Sequence, residues 1–68
     1  MNTDEVLTSV IDAGFVAKID GGKVVVDLDA SKTSSGASDI SEALANLKSW
    51  CAGNGLSGSE SGNLFTIA

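Results

Sequence analysis

The chain has no histidine, no arginine and one cysteine, Cys51, among 68 residues. Each absence removes a kind of chemistry. Without histidine, Cys51 has no neighbouring base of the usual type to turn it into a nucleophile. Without arginine, the surface lacks the planar fork that grips carboxylates and phosphates. A lone cysteine permits neither an internal disulfide nor a thiol-rich metal site, and it fits a reducing compartment. Aromatic residues are limited to Phe15, Trp50 and Phe65. No stretch approaches the ~20 apolar residues of a membrane span.

What is present points to a small acidic folded domain. Nine acids and four lysines give a net charge of −5. No basic stripe exists to neutralise phosphates, so direct nucleic-acid binding is not expected. Anionic membranes are equally poor partners. A basic protein surface is the natural electrostatic complement. The apolar fraction of 43% is that of a folded chain. One domain spanning 1–68 is expected. So short a chain buries only ~60% of its unfolded surface, leaving little material for a deep cleft. The opening "MNTDEVLTSV" is acidic and amphipathic, unlike a signal peptide, and a cytoplasmic location is expected.

Periodicity divides the chain into five elements. "NTDEVLTSVIDAG" reads as a helix capped by Asn2 or Thr3, with Asp4 and Glu5 in its first turn. Val6, Leu7, Val10 and Ile11 share a face, and Gly14 is a suitable stop. "FVAKIDGGKVVVDL" reads as a hairpin turning at Gly21-Gly22. That turn opposes Asp20 to Lys23, Ile19 to Val24, Ala17 to Val26 and Phe15 to Leu28. The pleat then sends Phe15, Ala17, Ile19, Val24, Val26 and Leu28 to one face. Val16, Lys18, Asp20, Lys23, Val25 and Asp27 go to the other. "DASKTSSGA" reads as a polar loop. From about Asp39 a second helix carries the stripe Ile40, Ala43, Leu44, Leu47, Trp50 and Cys51. "DISE" at its start predicts a capping box between Asp39 and Glu42. "LSGSESGN" reads as a flexible connector. "NLFTIA" reads as a last strand with Phe65 and Ile67 inward and Leu64 and Thr66 outward.

The expected fold is α+β: a two-layer sandwich in the order α-β-β-α-β. Its sheet has three antiparallel strands ordered 2-1-3, with two helices packed on one face. Cys51 falls on the apolar stripe as a small core residue, and Trp50 sits half-buried at its edge.

One stretch invites a catalytic reading. "VVVDLDAS" resembles the first motif of the haloacid-dehalogenase phosphatases. The resemblance implies Asp27 as nucleophile, Asp29 as general acid/base, bound Mg²⁺ and a parallel sheet. The chain has neither the length nor the later acidic motif of that family. "DASKT" is also similar to the metal motif of von Willebrand A-type domains, which draw further ligands from distant loops. Counted as an EF-hand from Asp27, the loop puts Lys32 where glycine belongs and Ser38 where glutamate belongs. No catalytic residue, metal site or cofactor is therefore expected, and the chain is read as a non-enzyme.

The expected role is that of a protein-binding module, an inhibitor or decoy that occupies a basic partner surface. In size and charge it is similar to small acidic phage and mobile-element inhibitors such as anti-CRISPR proteins, some of which mimic DNA. The residues expected to meet a partner are Asp20, Asp27, Asp29, Asp39 and Glu42, with Val16 and Val25. A second reading rests on "VLTSVIDAGFVAKIDGGKVVV", which resembles the helix-then-hairpin opening of TubC-type docking domains. There the hairpin receives a partner's tail. A third is a small homo-oligomeric structural protein; as a partner-binding module the chain is expected to be a monomer or a homodimer.

Overall fold

The computed structural model describes residues 2–67. The element order is α1 (Thr3–Asp12), β1 (Val16–Asp20), β2 (Lys23–Asp27), α2 (Leu28–Ser34), α3 (Ile40–Gly53), β3 (Gly58–Ser61) and β4 (Leu64–Ile67). Among these residues the fold is α+β, with three helices and one antiparallel sheet of four strands ordered β1-β2-β4-β3.

Local sequence explains the helix starts. Asn2 caps α1: its Oδ1 accepts from the Glu5 N–H at 2.9 Å, and Glu5 Oε1 accepts from the Asn2 N–H at 3.3 Å. The Thr3 hydroxyl is used elsewhere and donates to the Gly22 carbonyl at 3.4 Å. Asp39 caps α3 by accepting from the Glu42 N–H at 2.8 Å. The hairpin register is the one the Gly21-Gly22 turn predicts, from Asp20 opposite Lys23 to Val16 opposite Asp27. Both glycines have positive φ, 60° and 79°, which a side chain would strain.

Three expectations are corrected. The last strand does not pair beside β1; it pairs antiparallel with β2, Val24 opposite Ile67 and Val26 opposite Phe65. That makes β2 central, and all three of its valines, Val24, Val25 and Val26, are buried. A buried continuous valine run is the mark of an inner strand. The start of α2 also engages one end of β1, where the Val16 N–H donates to Ser31 Oγ at 2.9 Å.

The second correction is α2 itself, which replaces the first part of the loop read from "DASKTSSGA". Asp27 caps it by accepting from the Ala30 N–H at 3.0 Å. Leu28 and Ser31, one turn apart, are both fully buried, so this short helix is held by a two-residue stripe. Leu28 is therefore the first helical residue and is not the strand partner of Phe15.

The third correction is β3, which lies inside the expected connector "LSGSESGN". All four of its residues are exposed, and it pairs with β4 from Gly58 opposite Ile67 to Ser61 opposite Leu64. Nothing apolar announces this strand; its backbone bonds to β4 supply its support.

The core lies between the helices and one sheet face. Val6 and Val10 of α1, Leu47 and Cys51 of α3, and Phe65 and Ile67 of β4 meet there with Val24 and Val26. Leu44 and Trp50 pack against this cluster partly buried. Ile11, assigned by periodicity to the inner face of α1, is 48% exposed and lies outside the core.

Candidate functional site

Among the described residues no helix covers the opposite sheet face, and pleat and register together define it. Residues directly opposite one another across strands share a face. One cross-strand row is Val16, Asp27, Leu64 and Ser61; the next is Lys18, Val25, Thr66 and Ser59. Asp20 and Lys23 face each other beside the hairpin turn. Val16 and Leu64 are each 43% exposed, while Val25 between them is at 9%. Val25 faces outward, as alternation predicts, yet it is buried in its row between Lys18 and Thr66. Val16, Val25 and Leu64, with Lys18 and Asp27, line a shallow groove of about 180 Å³. A second hollow of about 230 Å³ lies at the hairpin end, among Thr3, Val6, Lys23, Leu56 and Ile67.

The residues expected to meet a partner fall on separate surfaces. Val16, Asp20, Val25 and Asp27 lie on the open sheet face. Asp39 and Glu42 sit at the start of α3. Asp29 lies in the first turn of α2, where it pairs with Lys32 at 3.3 Å. Three of the five acids have local structural work: Asp27 and Asp39 cap helices, and Asp29 forms that ion pair. Leu64 and Lys18 complete the open face. Pleat alternation assigns their direction, but only the β2–β4 pairing brings Leu64 beside Val16 and Asp27.

The charge is partitioned between these surfaces. On the open face Asp20 and Asp27 are matched in number by Lys18 and Lys23. The other acids and lysines lie on the helices, their caps and β3, so the full net charge of −5 resides there. No ionisable side chain is buried among the described residues except Cys51, at 2% exposure. Burial raises the Cys51 thiol above its ordinary value of 9.0.

The geometry around Asp27 bears on the phosphatase resemblance. Its Oδ1 accepts from the Ala30 backbone, and every strand pairing among the described residues is antiparallel. The parallel scaffold on which that chemistry rests is not the one found. Among the described residues, no three acids or cysteines converge into a group fit to hold a metal ion. The hairpin of the docking-domain resemblance has one edge already paired with β4, and Ser31 takes the Val16 N–H of its other strand. No described helix is long and apolar enough to cross a membrane. No family model, curated protein or solved structure matches the chain.

Proposed function

We propose that this chain is a non-enzymatic protein-binding module, an inhibitor or decoy whose acidic, helix-bearing side occupies a basic surface of a partner protein. The observation that carries this reading is the partition of charge. The sheet's open face is balanced, so the net −5 is concentrated on the helices, their caps and β3. A one-sided field steers encounter with a basic partner and rejects nucleic acid and anionic membranes. Asp4 and Glu5 at the start of α1, and Asp39 and Glu42 at the start of α3, are the acids that best present it, all in exposed first turns or caps. Asp20 and Asp27, balanced by lysines, drop to a secondary place in this reading.

The experiment is affinity capture on the immobilised chain from a cell extract, washed over a series of ionic strengths. A partner should be retained at low salt and released steeply as salt rises. It should be lost on a variant carrying Glu5→Gln and Glu42→Gln. Retention of the same proteins by an unrelated chain of equal size and charge would sink the proposal.

A further inference from the structure

Two copies of this chain meet repulsion on most approaches. Each carries −5, and contact through the helices sets acid against acid. The open sheet face is the exception. It holds both signs in equal number, Lys18 and Lys23 with Asp20 and Asp27, around the exposed Val16 and Leu64. Such a face is its own electrostatic complement.

Its rows make that complementarity specific. Lys18 belongs to the row that passes through Val25 and Thr66; Asp27 belongs to the adjacent row, between Val16 and Leu64. A two-fold axis crossing the strands between these rows sets the lysine row of one copy over the aspartate row of its partner. The same operation lays Val16 of one copy over Lys18 of the other and Leu64 over Thr66, beside the groove of about 180 Å³. An isologous contact of this kind is the commonest way small proteins pair. Face-to-face sheets are also an established packing solution.

We propose that the open face is the interface of a homodimer, two sheets packed back to back with the acidic helical sides pointing outward. The proposal does not depend on the identity of any other partner. The dimer hides Val16 and Leu64, two of the four large apolar side chains exposed among the described residues, and it keeps the two negative bodies as far apart as contact allows. It also leaves both acidic sides free, so binding of a basic partner and dimerisation are compatible.

The test is sedimentation equilibrium on the full chain from micromolar to millimolar concentration. The expected result is a monomer–dimer equilibrium with a dissociation constant inside that range. Leu64→Lys should weaken the dimer at least about tenfold, a change of ~1.4 kcal/mol. Val16→Lys should do the same and serves if Leu64→Lys fails to fold by circular dichroism. Ile11→Lys, which adds the same charge on the exposed side of α1, should not weaken the dimer. A strict monomer at millimolar concentration overturns the proposal. So does a dimer that Ile11→Lys breaks as readily as Leu64→Lys. A dimer insensitive to both lysines at positions 16 and 64 but lost with Ser59→Pro would move the contact to the β3 edge and overturn it equally.

Discussion

The hydroxyl of Ser31 accepts a hydrogen bond from the backbone N–H of Val16 at 2.9 Å, and Ser31 is fully buried. This one bond ties the start of α2 to the first residue of β1, fifteen positions earlier in the chain. Leu28, also fully buried, fixes the same corner from the apolar side. Ser31→Ala removes the acceptor and leaves a part-buried N–H without it, which costs about 1–3 kcal/mol. Urea denaturation should show that loss, with a lowered midpoint and an unchanged slope. Ser34→Ala, whose hydroxyl makes only a 3.5 Å contact with the Ser31 carbonyl, should be close to neutral.

Gly58 is the second sensitive point. A Cβ at this position would collide with the Thr66 carbonyl and the Phe65 ring. Gly58→Ala should destabilise by about 2–3 kcal/mol through forced movement of the Thr66 backbone and the core residue Phe65. Thermal unfolding followed by Trp50 fluorescence measures it. A variant as stable as the parent would show that β3 does not sit against β4 as described.

Asp27 separates capping from charge. Its carboxylate caps α2, and asparagine caps a helix about as well as aspartate. Asp27→Asn should therefore retain stability, while Asp27→Ala should lose about 1 kcal/mol. Equal losses in the two variants would mean the negative charge itself matters at this position. A phosphatase assay with Mg²⁺ on the parent chain addresses the catalytic resemblance directly, and no activity is expected.

Cys51 gives a pH-dependent prediction. Burial raises its thiol above 9.0, and the unfolded chain ionises nearer that value. The unfolded state therefore loses its proton first as pH climbs. This contribution to stability is intact below about pH 9 and falls as pH rises from there through the folded value. Stability measured by urea unfolding should decline above that pH by more in the parent than in Cys51→Ala. A disulfide-exchange reagent should also react slowly with the native chain and fast after unfolding.

Much of this fold is legible in short stretches. The stripe from Ile40 to Cys51, the Asn2 and Asp39 caps and the Gly21-Gly22 turn are local devices. Their physics involves residues within a few positions of one another. The segments misread as loops, α2 and β3, are polar and short. Each borrows its stability from a distant neighbour, Val16 in one case and β4 in the other. The "VVV" of β2 did carry a signal of its central place, since an edge strand gains little from burying an outward Val25.

The candidate surfaces divide along the same line. Composition alone determines the net charge of −5, the absence of histidine and arginine, and hence the poverty of catalytic and phosphate-binding groups. Alternation along the hairpin determines that Val16, Lys18, Val25 and Asp27 share a face. Only the tertiary structure decided that β4 lies between β2 and β3, and so that Leu64 joins that face beside Val16 and Asp27. Strand order depends on which edge of the hairpin the distant segment pairs with, a long-range contact that no window of the sequence contains.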